Sequence, residues 1–311
     1  MLDTPLSLIT DIMLPNVRGL VAKRLRASGM SQSRIASLIG VTQPAVKQYL
    51  DGDEQEYKEN LVKLGLSVSE IEFLISSISS LLSMGRGEET SAYITVFGLS
   101  NLSRLRFCEF HRRFNPSISP DCRICQGFYR ENEENELELA VSMIRNPEVA
   151  KLVPEVLSNL AFSKRNPQSV SDVIAVAGRI AVIGGIPTPA SRPTWGGSRH
   201  LATILLRALK VCGKWRAVMN IKFDDRVEQS LKTAGLVYSK VGPSQDKDDE
   251  RIAQMVASSL GDCPDVVVHL GGNGIEPNAY VFGENPLEVA TKVMKIAKNY
   301  QPSNGATNYT A

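Results

Sequence analysis

An excess of charge of either sign is what this chain lacks most plainly: 35 Lys and Arg stand against 33 Asp and Glu, a formal net charge of +2. So even a balance creates no global field for polyanions, and any affinity for nucleic acid or phosphate has to come from local clusters. Long apolar runs are also missing. Charge or glycine breaks them well short of the roughly 18 residues a membrane-crossing helix needs, which sets a membrane span aside. Asp3, Asp11 and Pro15 interrupt the opening stretch and argue against a signal peptide. Five cysteines in 311 residues are too few for a disulfide framework. No internal repeat is visible. These absences point to the cytoplasm and to a chain of two domains, with room for a small module between them.

Residues 14–85 read as helices. Val17, Leu20, Val21, Leu25, Ile35, Leu38 and Ile39 recur at helical spacing, punctuated by Gly29 and Gly40, and a second amphipathic pattern runs from Ser69 through Ile75, Ile78, Leu81 and Leu82 to Gly85. An acidic run (Glu131, Glu133, Glu134, Glu136, Glu138) marks a boundary. Beyond it the texture changes. Val173–Val176, Ile180–Ile183 and Val266–Val268 read as buried strands, separated by helical patterns near 199–212, 225–234, 248–260 and 285–299. The expected architecture is an all-α helix-turn-helix domain over 1–100, a Cys/His segment over 101–130, and an α/β (or α+β) ligand-binding domain over 131–311. The tail from Gln301 to Ala311 is polar and expected to fray.

The segment Gln32–Leu50 carries the DNA-binding signal. Ala36 is small where two helices must touch, and Gly40 sits in the turn, where positive φ is favoured. Ser31 can cap the first helix and Thr42 the second, with Pro44 in its first turn. Ile35, Ile39, Val41, Val46 and Tyr49 supply the packing. The second helix then offers Gln43, Ala45, Lys47 and Gln48 to base edges and phosphates of a major groove, with Arg34 and Thr42 beside them. Between Pro15 and Leu50 lie Arg18, Lys23, Arg24, Arg26, Arg34 and Lys47 with no acidic residue. Several of these could neutralise phosphates; a solvated basic face is the plainer reading.

Cys108 and His111, then Cys122 and Cys125, each enclose two residues. Three thiolates and one imidazole suit a closed tetrahedral Zn²⁺ site of structural role, ordering a segment with little apolar core; an iron–sulfur cluster is the less favoured occupant, and scattered reduced thiols the plain alternative. Arg104, Arg106, Arg112, Arg113 and Arg123 nearby could brace phosphates or simply be solvated. Cys212 and Cys263 lie apart and read as core thiols.

In the second half, Thr194–His200 runs into an apolar helix. Gly196 and Gly197 allow close backbone approach, Ser198 can cap, and Arg199 and His200 add donors beside free helical N–H groups, an arrangement suited to an anion. A second loop, Gly271–Pro277, leaves the end of the Val266 strand, where ligands commonly bind; a tight turn is the alternative.

Five segments in order (Val153–Ala161, Ala177–Ile180, Gly196–His200, Met219–Lys222 and Gly271–Pro277) resemble the thiamine-phosphate synthase domain of the ThiN type. The whole chain resembles the archaeal thiamine-responsive regulators of the ThiR family, in which that domain follows a helix-turn-helix. The resemblance implies a pocket for thiamine phosphate or thiamine diphosphate at Gly197, Ser198, Arg199 and His200, with Arg179, Asn159, Asn220, Gly272, Asn273 and Gly274 contributing. It also implies a dimeric repressor of thiamine biosynthesis or transport genes, bound to palindromic double-stranded operator DNA. The enzyme form joins a pyrimidine pyrophosphate to a thiazole phosphate and releases pyrophosphate, and its important arginine and histidine match Arg179 and His200. An active synthase carrying a DNA-binding domain is therefore the alternative. The sequence departs from the family pattern where an Asp and a Lys are usual: His269 and Ile275 stand there. Loss of a cation beside pyrophosphate weakens leaving-group stabilisation more than it weakens binding, so the expectation is a sensor without substantial turnover.

Overall fold

The computed structural model describes residues 4–129, 132–244 and 248–300. The tail from Gln301 onward and Glu131 of the acidic run lie outside them. Two compact units divide the chain, Met1–Glu131 and Asn132–Ala311.

The first unit is helical. A π-helical stretch, Leu8–Met13, leads into α1 (Leu14–Ala27), which buries Val17, Leu20, Val21 and Leu25. A Cβ at Gly19 would collide with the Tyr57 ring, so glycine there lets α1 meet α4 (Glu54–Leu64) closely. α2 (Gln32–Ile39) starts where the Ser31 hydroxyl accepts from the Arg34 N–H, and stops at Gly40 (φ 69°, ψ 40°), a left-handed cap that glycine adopts without strain. α3 (Gln43–Asp51) starts on Thr42, which accepts from the Ala45 N–H. α5 (Val68–Ser83) opens on a reciprocal capping box between Ser67 and Glu70. α6 (Gly87–Ser103) and α7 (Cys108–Phe114) complete the unit's α-helices among the described residues. α1 is the hub, packing on α2, α3, α4 and α5.

The second unit is built on a seven-stranded sheet. Its strands are β1 (Leu160–Ser163), β2 (Val173–Val176), β5 (Pro193–Trp195), β6 (Ala217–Lys222), β7 (Tyr238–Val241), β8 (Val266–His269) and β9 (Asn278–Gly283), in the order β5-β2-β1-β6-β9-β8-β7. Only β7 and β8 run parallel. Alternate residues of the strands, among them Ala161, Val218, Val267 and Phe282, pack with α10 (Arg199–Val211) and α12 (Asp249–Ser258) into one core. α8 (Glu133–Ile144) and α13 (Pro286–Asn299) pair and pack on the sheet, with α9 (Pro147–Ala150) and α11 (Asp225–Thr233) against α13.

The helices expected near 199, 225, 248 and 285 are all present, as are strands at 173 and 266. The stretch at 180 differs. β3 (Ile180–Ile183) pairs with β4 (Ile186–Pro189) in a separate hairpin across Gly184 and Gly185; Ile180 is buried, whereas Val182 and Ile183 are exposed. The hairpin stands outside the seven-stranded sheet, so the residues beside its Gly184–Gly185 turn are not covered by the core that buries the sheet's strands. Cys212 and Cys263, read as separate core thiols, form a disulfide between the end of α10 and the loop after α12. No helix among the described residues is long and apolar enough to cross a membrane.

Candidate functional site

The order β1-β6-β9-β8 brings four distant segments to one end of the sheet, where they enclose a cavity of about 230 Å³. Its floor is a chain of amides. The Asn159 N–H donates to Asn220 Oδ1 (2.8 Å), and Asn220 Nδ2 donates to the Leu157 carbonyl (3.0 Å) and to Asn278 Oδ1 (3.3 Å). Asn159 Nδ2 donates to the Val176 carbonyl, while its Oδ1 accepts from the Val176 and Leu160 N–H groups. Both side chains line the cavity, yet their polar atoms are largely engaged by backbone: they shape the floor more than they offer donors to a ligand.

Glu276 does similar work at one wall. Its two carboxylate oxygens accept from the Glu155 and Val156 N–H groups, 3.1 Å each, which fastens the Gly271–Pro277 loop to the Val153–Leu157 segment. Arg179 stands at the rim with φ 71°, a left-handed conformation rare for a residue with a Cβ. Its guanidinium donates to the Val156 carbonyl. Non-glycine backbone held this way points to a side chain whose placement matters.

His200 follows Ser198, whose hydroxyl caps α10 by accepting from the Leu201 N–H (3.4 Å). Its Nδ1 lies 2.7 Å from Asp249 Oδ1 and its Nε2 lies 3.0 Å from the Tyr280 hydroxyl. The carboxylate can only accept, so Nδ1 carries a proton, and in the neutral ring Nε2 accepts from Tyr280. Burial, with the Asp249 charge adding, pushes the Tyr280 phenol well above its ordinary value, so it stays protonated. The three side chains make a path along which a proton can be held or moved.

Of the ligand residues expected from sequence, Asn159, Arg179, Ser198, His200, Asn220 and Gly274 line the cavity. Gly197, Arg199, Gly272 and Asn273 do not. Gly197 is needed because a Cβ would strike the Ala175 carbonyl oxygen, and Gly272 because one would strike that of Ser244. Arg199 and Asn273 are exposed away from the lining. Sequence reading missed Asp249, His269, Glu276, Asn278 and Tyr280 as lining residues; Glu276 carried a signal, lying inside a recognised motif, and so did His269, standing where the family pattern has an Asp.

In the first unit, Arg34, Thr42, Gln43, Lys47 and Gln48 are exposed and Ala45 half-buried, while Ile35, Ala36 and Val46 are buried. Three of the basic residues are engaged within the unit. Lys23 Nζ donates to the Leu50 carbonyl at the end of α3 (2.7 Å), Arg24 lies 3.7 Å from Glu72, and Arg26 donates to the Met30 carbonyl.

The zinc module expected at Cys108, His111, Cys122 and Cys125 is not found: among the described residues no three or more His, Cys, Asp or Glu are arranged to hold an ion. The three thiols lie close enough to feel one another's charge. Burial, reinforced by Cys108 and Cys122, pushes Cys125 up to about 11, and burial raises Cys108 as well. Arg106 bonds Glu70 and the Gly65 carbonyl, and Arg113 pairs with Glu109.

Comparison with known proteins adds an independent finding. The family model described as thiamine-phosphate synthase ThiN matches residues 136–295. A thiamine-phosphate synthase ThiN of Methanothermobacter thermautotrophicus is 32% identical over 185 residues, 56% of this chain and 97% of that protein. A bifunctional thiamine biosynthesis protein ThiDN of Methanocaldococcus jannaschii is 31% identical over 231 residues, 72% of this chain; the match spans about half (53%) of that longer protein. Among solved structures, the C-terminal domain of a phosphomethylpyrimidine kinase is 27% identical, with a TM-score of 0.48, covering 53% of this chain and 97% of the other.

Proposed function

The chain belongs to the thiamine-phosphate synthase ThiN family, and on that premise we propose that it is a transcriptional regulator, a repressor of thiamine biosynthesis or transport genes, whose C-terminal unit takes a thiamine phosphate as its signal. The observation that carries the proposal is the α2–α3 hairpin. A left-handed glycine turn and two side-chain caps set α3 so that Val46 is buried while Gln43, Lys47 and Gln48 face solvent. Amide side chains suit base edges in a major groove, and Lys47 and Arg34 suit phosphates. A helix-turn-helix commonly acts as a dimer on a palindrome, with half-sites one helical turn apart. Selection of duplexes from a randomised pool tests this: the full chain is expected to enrich a palindrome, and Gln43→Ala with Gln48→Ala is expected to lose it. Recovery of unenriched sequence would overturn the DNA reading.

The effector is thiamine phosphate or thiamine diphosphate, held in the cavity with Arg179 at the phosphate. Synthase activity is the second reading, favoured by the Asp249–His200–Tyr280 path. Against it stands the lining itself: among the described residues, Arg179 is its one Lys or Arg, and Ile275 occupies the glycine loop. A departing pyrophosphate needs cations in the transition state that simple binding does not. Incubating the protein with both phosphorylated precursors separates the readings: sustained formation of thiamine phosphate would make this an enzyme.

A further inference from the structure

His269 ends β8 and lines the cavity, yet only 1% of it is exposed. Its Nδ1 accepts from the Gly271 N–H at 3.2 Å. An imidazole nitrogen that accepts carries no proton, so the proton of the neutral ring sits on Nε2. Nε2 is buried and has no hydrogen-bond partner. The ring is held neutral: burial, and then the His200 ring, lower His269 below the ordinary imidazole value. A second proton would also have to enter at Nδ1, where the Gly271 N–H already points. This fixed N–H therefore goes unmet among the described residues, and leaving a buried donor unmet costs folding free energy without return.

We infer that His269 is a ligand-contacting residue of the cavity, donating a hydrogen bond from Nε2–H, as an uncharged imidazole, to an acceptor atom of the bound molecule. The inference rests on the thiamine-phosphate reading for the molecule's identity; a phosphoryl oxygen or a ring nitrogen supplies the same acceptor chemistry. The residue thus selects for an acceptor and against a donor at that point, because two N–H groups cannot pair. Gly271 acts through it. By occupying Nδ1 the loop amide fixes the tautomer, tying the glycine loop to the polarity of the contact.

The test titrates wild-type protein, His269→Asn and His269→Gln with thiamine phosphate and with thiamine, by calorimetry. Asn keeps an acceptor near the Nδ1 position for Gly271 but has nothing at Nε2; Gln carries an amide near Nε2. His269→Asn is expected to bind about tenfold more weakly, as for a lost hydrogen bond, with His269→Gln recovering part of the loss. A loss confined to thiamine phosphate assigns the acceptor to the phosphoryl group, and a loss with both compounds assigns it to the ring system. Melting curves confirm that the variants are folded. As a readout that packing alone would not move, the Nε2 proton resonance of His269 in wild type is expected to shift when thiamine phosphate saturates the site. Wild-type affinity in a folded His269→Asn, or an unmoved resonance, would overturn the inference while leaving the ligand assignment intact. Failure of wild type to bind either compound would instead sink the ligand assignment, and the contact with it.

Discussion

Glu70 joins three devices in one side chain. It closes the capping box of α5, and its carboxylate takes the Arg106 guanidinium, which also holds the Gly65 carbonyl. Burial acts to raise its pKa, but the bonds from Arg106 and Ser67 prevail and hold it at about 2. A folded-state value below the unfolded one contributes stability above the unfolded pKa, and that contribution is lost as pH falls from about 4.5 toward 2. Urea midpoints at pH 7 and pH 3 should therefore fall further for wild type than for Glu70→Gln; equal falls would refute the linkage. Lys292 is the second case. It is 4% exposed and donates to the Phe282 carbonyl, with Asp265 and Glu288 at 2.8 and 2.7 Å. Lys292→Met is expected to cost roughly 3 kcal/mol, at the low end for a broken buried pair because both carboxylates keep some water. A loss under about 1 kcal/mol in chemical denaturation would show that the cluster contributes little. Neither residue announced itself in the sequence, where each is one more charge in a helical pattern. What distinguishes them is the partner brought by tertiary packing.

At the scale of elements, helices were the readable part, because caps and period are local: Ser31, Gly40, Thr42 and Ser198 each sit where the structure uses them. Strands were half readable. β6 carries Asn220 inside a short apolar run and β9 opens on Asn278, which blurs alternation, and their roles emerge only because β9 inserts between β6 and β8. That same insertion brings Tyr280 and His269 to the cavity beside His200, which no local pattern encodes. For the basic residues of α1 the sequence left two roles open: a positive side chain on a helix serves a neighbouring carbonyl as readily as a phosphate, and Lys23 bonds the Leu50 carbonyl. On α3, Lys47→Ala is expected to weaken binding to all duplexes alike and to reduce the salt dependence by about one phosphate contact. An unchanged slope of affinity against salt would remove Lys47 from the interface. The disulfide joining α10 to the α12 loop closes 51 residues. Loop-closure entropy gives it roughly 4 kcal/mol, so Cys212→Ser should lower the unfolding midpoint of the C-terminal unit markedly; a midpoint equal to wild type would mean the bond does not form in solution.

For the molecule as a whole, the ThiN family model covers 136–295, within the second unit, and does not extend to the first. The first unit is explained by its own physics: a hub helix, a glycine-turned hairpin and an amide-bearing helix left open to solvent. Joined in one chain, they make a regulator if the cavity's occupant binds one DNA-binding state better than another, because equal affinity for both shifts nothing. The most direct measurement is fluorescence anisotropy of the full chain on DNA from upstream of its own gene, against random duplex, with and without thiamine phosphate. The expected result is a preference for the upstream DNA that changes at least tenfold on adding thiamine phosphate, a coupling of about 1.4 kcal/mol. Equal affinity for both duplexes, unmoved by ligand, would contradict it.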